Sequence, residues 1–359
     1  MSITKDAVIH ALSHVDDPDL KKDLVSLNMI QDIKITDNKV RFSLVLTTPA
    51  CPLKNKIRQD CIDAIHQHLG KEVEVEVDVT SSVTTARKAM EETLSGVKNI
   101  IAVISGKGGV GKSTVAANIA IALSQTGARV GLIDADIYGP SIPILFGLED
   151  RRPVVTESGE KTHIFPIEKY GIKLLSMGFF VTREQALGWR GPMASNALKQ
   201  LFSDAEWEEL DYLVVDMPPG TGDIQITLAQ SMPVTGSLLV TTPQHLAIAD
   251  VRRAAALFRQ DGVKVPLLGV VENMSYFTPD ELPEQKYYLF GQGGGKKIAA
   301  ELNLPLLGEI PVCQGITSSG DAGKPVALDV DSPVAKIFRD IAGKLAQQVS
   351  LKNIVTQQS

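Results

Sequence analysis

Between Ile100 and Leu123 the chain passes directly from an apolar run, IIAVIS, through GKGGVGKST into VAANIAIAL. A run apolar on both faces belongs to a strand covered on both sides, and a helical pattern starting straight after it puts a glycine-rich turn at a helix N-terminus. Glycines at 106, 108, 109 and 111 let the backbone turn tightly. Successive N–H groups then point at an anion held in the positive field of the helix end. Gly106, Lys107, Gly108, Gly109, Val110, Gly111, Lys112, Ser113 and Thr114 are therefore the predicted phosphate cradle of a nucleotide site. In it Lys112 reaches the β and γ phosphates, and the Ser113 hydroxyl completes a magnesium shell.

Further short apolar runs follow at Ala128 to Asp134, Asp211 to Met217, Ser237 to Thr242 and Pro266 to Asn273, separated by helical patterns. They predict an α/β domain with a parallel sheet from residue 97 to 359, whose ligands bind at the carboxyl ends of the strands. The first 80 residues read differently. A helical pattern at Ala7 to Leu12, a strand at Val40 to Leu46, a helix at Leu53 to Leu69 and the alternating EVEVEVDV at Glu72 to Val79 predict a small α+β domain. The polar stretch 81–96 is expected to be the linker. A second glycine-rich stretch, Gly291 to Lys297, lacks a hydroxyl after its lysine and reads as a turn and helix start.

A nucleotide switch also needs acids. LVVD ends in Asp216, suited to the outer shell of magnesium, and Gly220 in the following MPPGTGD is placed for its N–H to sense the γ phosphate. VGLID ends in Asp134, with Asp136 two residues on. Spacing by two keeps both on one side of an extended chain, so that one can anchor while the other faces water.

Taken together, these motifs identify a family. GKGGVGKST, with Lys107 as an additional lysine, resembles the deviant phosphate loop of the MinD, ParA and nitrogenase iron-protein class. DADIYGPSIP, the insert carrying GWRGPM at Gly188 to Met193, and DYLVVDMPPGTGD followed by ENMSYF resemble the Mrp-type iron-sulfur cluster carrier ATPases. VDDPDL at Val15 to Leu20 and TTPACPL at Thr47 to Leu53 are similar to the small iron-sulfur assembly domain often fused ahead of them. The resemblance implies a P-loop ATPase that uses ATP and Mg2+, works as a homodimer and passes iron-sulfur clusters to apoproteins alongside assembly factors. It also implies that Lys107 reaches the partner's nucleotide, that Asp136 sits by the hydrolytic water, and that Asn273 with Ile310 to Val312 frames adenine.

One part of the family pattern is missing. ENMSYF is followed in the carriers by a Cys-x-x-Cys pair that gives a [4Fe-4S] cluster four thiolates per dimer. Here Thr278 to Gly291 holds no cysteine and no histidine. Its acids, Asp280, Glu281 and Glu284, are hard donors that suit a solvated loop. Its aromatics, with Tyr276 and Phe277 before them, are expected either to hold the loop down or to form an interface. The chain has three cysteines, too few for a disulfide framework. Cys51 matches the accessory domain's cysteine and stands before a helix whose N-terminus would lower its pKa. Cys313 supplies one further thiol per chain, and Cys61 reads as core. Cys51 and Cys313 are the candidate cluster ligands. His10 and His14 share a helix face, a spacing common on surfaces.

The net charge of −6 argues against nucleic acid. No apolar run reaches 18 residues and MSITKDAVIH lacks a signal-peptide pattern, so a soluble cytoplasmic protein without stable membrane association is expected. The amphipathic segment Pro333 to Val349 is the one feature favouring a MinD- or ParA-like positioning role, and with Gly343 and mixed charges it reads better as a docking helix. A nucleotide-gated scaffold without its own cluster is the remaining alternative.

Overall fold

The computed structural model describes residues 3–87, 94, 96–159, 161–181, 188, 191–279, 281, 282 and 284–358. Part of the expected linker, part of GWRGPM, and Asp280 of the acidic loop lie outside the described residues. The chain forms two compact units, Met1–Thr84 with Ser350–Ser359, and Thr85–Val349.

In the smaller unit, α1 (Lys5–Leu12) and α2 (Lys54–Leu69) accompany a three-stranded sheet of β1 (Ile30–Thr36), β2 (Lys39–Leu46) and β3 (Glu74–Ser81) in that order. Thr4 caps α1 by accepting from the Ala7 N–H. β1 and β2 are antiparallel, whereas β2 and β3 are parallel and need the crossover that α2 provides. The alternation of β2 buries Val40, Phe42, Leu44 and Leu46 against Val8, Leu12, Ile57 and Ile65. Outside, Lys39 and Arg41 face Glu74, Glu76 and Asp78 across the strands. These exposed pairs add little stability. Ser350 and Asn353 of the C-terminal segment bond to the backbone at Thr47 and Thr84.

The larger unit is α/β. In chain order it contains β4 (Val97–Ile104), α3 (Lys112–Ser124), β5 (Val130–Asp134), α4 (Ile142–Leu145), β6 (Val154–Ser158), β7 (Lys161–Phe165), β8 (Ile167–Lys169), β9 (Ile172–Ser176) and α5 (Gly191–Ser203). It continues with β10 (Leu210–Asp216), α6 (Asp223–Ser231), β11 (Gly236–Thr241), α7 (His245–Arg259), β12 (Leu267–Glu272), α8 (Gly294–Leu302), β13 (Leu306–Glu309), α9 (Gln314–Asp321) and α10 (Pro333–Gln358), the last of which belongs to this unit up to Val349. Eight strands form one sheet in the order β8-β9-β5-β10-β4-β11-β12-β13. Every adjacent pair is parallel except β8 with β9, so the expected parallel sheet carries one antiparallel edge strand. β6 and β7 make a separate hairpin.

The segment considered for membrane contact is a packed helix. Val334, Ala335, Phe338, Ile341, Ala342, Leu345, Ala346 and Val349 recur three or four residues apart along α10, and all are buried. Among the described residues no helix is long and apolar enough to cross a membrane. Truncating Phe338, which has no exposed surface, should lower the stability of this unit by about 3–5 kcal/mol. Guanidinium unfolding followed through the buried Trp207 checks this, with Lys336→Ala on the exposed face shifting it by about 0.5 kcal/mol at most.

Candidate nucleotide site

The sheet register brings the acidic strand ends together. Asp216, the last residue of β10, pairs with Asp134 at the end of β5 on one side and with Val103 of β4 on the other. The phosphate loop leaves β4 immediately beyond, so strand ends, loop and helix start converge at the carboxyl edge of the sheet. There they line a cleft of about 390 Å³ that includes Lys107 to Thr114, Asp136, Ser141, Ile144, Leu145 and Pro219. Its volume lies in the range of small-ligand sites.

Close approach explains two of the loop's glycines. A Cβ on Gly106 would lie 2.1 Å from the backbone of Asp250 in α7, so α7 sits directly against the loop. Gly111 has φ of 79°, in the left-handed region, and a Cβ there would meet the Asn273 amide at 2.2 Å. That amide, largely buried beyond the end of β12, donates to the Val110 carbonyl at 2.9 Å. Asn273, expected against adenine, is therefore a strut that fixes the loop in this structure.

Lys112 opens α3 almost wholly buried, and its ammonium lies 2.5 Å from Asp216 Oδ1 and 3.4 Å from Ser113 Oγ. Asp216 has no exposed surface, and its Oδ2 has no hydrogen-bond partner among the described residues. A buried carboxylate oxygen left open beside a serine hydroxyl fits the outer shell of a hydrated magnesium ion. Ser113 and Asp216 are accordingly suited to that ion.

The two neighbouring aspartates divide their roles. Asp134 Oδ2 accepts from the N–H groups of Ser141 and Ile142 at 2.9 and 3.0 Å and from Ser176 Oγ at 3.1 Å, while Oδ1 takes the Asp136 N–H at 3.1 Å. With no exposed surface and four protein donors, Asp134 anchors the loop after β5. Asp136 lines the cleft, and Asp134 stands behind it. Burial, and next the Asp216 charge, push its pKa up to about 7, against the pull of the Ile142 and Asp136 N–H groups and the Lys112 ammonium. Asp136 opens onto the cleft, holding the Gly139 N–H at 3.1 Å. Its carboxyl is raised chiefly by burial, with Lys112 opposing and Asp216 adding to the shift.

Gly220, expected to sense the γ phosphate, is engaged within the protein here. Its N–H donates to the Ser105 carbonyl at 3.1 Å and is not open to a γ phosphate in this structure. The carbonyl of Pro218 is taken by Gln225, which holds the MPPGTGD turn onto α6. Ser141, Ile144, Leu145 and Pro219 are cleft residues that sequence reasoning did not assign, although Ser141 and Pro219 stand inside motifs it recognised.

The second glycine-rich stretch is a helix start, as expected. Gly293 caps α8 in the left-handed region, and the buried Glu272 carboxylate accepts the Gly295 N–H.

The three thiols lie in different local settings. Cys51, in the smaller unit, is half-buried, and its pKa is raised by burial and by Asp17 and Asp19. The Leu53 and Lys54 N–H groups only partly offset this, so the expected activation by the α2 N-terminus is not realised. Within VDDPDL, Asp17 Oδ1 accepts from the Asp19 and Leu20 N–H groups. Cys61 is core, with its thiol pushed up to about 12 by burial. Cys313 precedes α9 in the larger unit. In the cysteine-free loop, Phe277, Tyr287, Tyr288 and Leu289 are exposed, and the Lys286 ammonium lies over the Tyr276 ring at 4.1 Å.

Residues 96–346 match the ParA profile, described as NUBPL iron-transfer P-loop NTPase. The chain belongs to this family. Residues 5–79 match the iron-sulfur cluster assembly protein family. An iron-sulfur cluster carrier protein of Synechocystis is 49% identical over 356 residues, covering 98% of this chain and all of that protein. One from Escherichia coli is 39% identical over 344 residues, covering 95% and 91% of the two chains. Among solved structures, a nucleotide-binding protein of Archaeoglobus fulgidus in complex with ADP is 36% identical, with a TM-score of 0.58 over 68% of this chain and 93% of that one. These likenesses agree with the resemblance carried by the motifs and with the P-loop α/β fold.

The site carries two expectations. Gly106→Ala should destabilise the larger unit by about 2 kcal/mol or more through its backbone collision, whereas Gly108→Ala, with nothing within 4 Å, should change little, as thermal unfolding would show. Lys112→Ala should cost the nucleotide-free protein about 3–5 kcal/mol by stranding Asp216, with Lys112→Met combined with Asp216→Leu recovering much of it in the same assay.

Proposed function

We propose that the protein is an ATP-hydrolysing carrier, working as a homodimer in the cytoplasm, that passes iron-sulfur clusters to apoproteins. The observation that carries this reading is the meeting of Lys107, Lys112 and Asp136 around one cleft, with Lys112 paired to the buried Asp216, in a chain similar end to end to cluster carriers. Backbone N–H groups of the loop would hold the phosphates of ATP, and Lys112 would leave Asp216 to meet the β and γ oxygens. Magnesium, held by Ser113 and through its water shell by Asp216, would neutralise phosphate charge. Asp136 is the group to orient the attacking water, because it alone of the three acids faces the cleft with its charge only partly compensated. Lys107, half-buried beside the exposed Gly108 and Gly109, would serve the nucleotide of the second copy, so that hydrolysis awaits dimerisation.

A second reading is favoured by one specific observation, the cysteine-free stretch from Thr278 to Gly291. On it, the ATPase gates a scaffold for assembly partners and holds no cluster of its own. Anaerobic reconstitution with iron and sulfide separates the two. A carrier shows a cluster spectrum that diminishes in Cys51→Ala or Cys313→Ala and transfers to an acceptor; a scaffold shows neither.

For hydrolysis, Lys112→Ala should abolish turnover together with nucleotide affinity. Lys107→Ala and Asp136→Asn should keep most of the affinity while cutting turnover at least about tenfold, as groups acting mainly in the transition state do. Titration calorimetry with ADP beside a phosphate-release assay checks the division, and an equal collapse of binding in all three variants would contradict it.

A further inference from the structure

The smaller unit carries a histidine cluster that nucleotide chemistry does not use. His10 lies in the last turn of α1, His14 two residues beyond that helix, and His68 in the last turn of α2. Their rings are neighbours, with centroids 4.9 Å apart for His10 and His14, 5.9 Å for His10 and His68, and 4.6 Å for His14 and His68. One ring nitrogen from each can be chosen so that all three lie within 4.8 Å of one another. Sequence spacing paired His10 with His14, but only the packing of α1 on α2 adds His68.

We propose that His10, His14 and His68 bind a divalent late transition-metal ion of the zinc type. Three nitrogens at zinc bond lengths stand roughly 3.3 Å apart in a tetrahedral site, so modest rotations of three exposed side chains close the cluster onto an ion. The backbone under them is already fixed, since Val8, Ala11 and Leu12 of α1 and Ile57, Cys61 and Ile65 of α2 share one core. His14 Nδ1 lies 2.8 Å from the His10 carbonyl oxygen. As donor in that bond, it leaves the Nε2 lone pair of His14 for the metal and sets the ring's orientation, the usual outer-shell arrangement of a ligating histidine. Three neutral imidazoles without a carboxylate or thiolate select zinc, nickel or copper over magnesium, and do not provide what an iron-sulfur cluster needs. All three side chains are exposed, so the ion keeps an open position for water or an external ligand and exchanges with solution.

Titration calorimetry of the metal-free full-length chain with zinc chloride tests this site independently of ATP and cluster chemistry. One zinc per chain is expected, with affinity falling at least tenfold in His68→Gln and binding lost in the variant with all three histidines changed to Gln. His163→Gln, an exposed histidine that contacts Glu206, should bind as wild type. So should the double variant Cys51→Ser with Cys313→Ser, and cobalt substitution should show no thiolate charge-transfer band. Unchanged binding in the triple-histidine variant overturns the proposal, as does loss of binding in the cysteine variant. Helical circular dichroism confirms that each variant is folded.

Discussion

An ammonium and a carboxylate buried against each other at the edge of a parallel sheet hold the nucleotide site in order. Lys112 opens α3 and Asp216 closes β10, so their 2.5 Å contact ties the helix start to the strand ends. Each charge would be costly alone in that setting, and the pair keeps both without ligand. Among the described residues only Oδ1 of Asp216 is used, and Oδ2 stays buried without a hydrogen-bond partner. The neighbouring anchors serve the same end. Asn273 fixes the loop from β12, Asp134 fixes the loop after β5, and Gly106 lets α7 close against it.

Much of this was legible in the chain. The apolar runs gave the central strands because burial on both faces leaves few positions for polar groups, and glycine spacing gave the phosphate loop because the backbone geometry there tolerates little else. Less was legible at the sheet's margin. β6 and β7 carry Val154, Val155 and Phe165 on an exposed hairpin, and β8 adds only Ile167 to Lys169, so neither has the double-sided burial that marks a strand. β1 escaped notice for a related reason: its residues are at most half-buried.

Among the site residues, residue type located each group but not its partners. Asp134 and Asp136 look alike in DADIYGPS, and they differ because Ser141, Ile142 and Ser176 return to one and not the other. Gly220 and Asn273 each stand beyond a strand end, and in this structure their hydrogen bonds go to the Ser105 and Val110 carbonyls. Cys51 precedes a helix, and its setting is decided by desolvation and by two acids more than thirty residues earlier in the chain. Such long-range neighbours leave no trace in local spacing.

Glu272 gives the second glycine-rich helix start a meaning of its own. Both such starts in the chain present free backbone N–H groups near a strand end, and both would attract a phosphate on electrostatic grounds. At α8 the carboxylate of the preceding strand already fills that role from within the fold, covalently tethered and shielded from solvent. A carboxylate tethered within the fold competes at high effective concentration, so the α8 start is already satisfied and the α3 start is the one left open to an external anion.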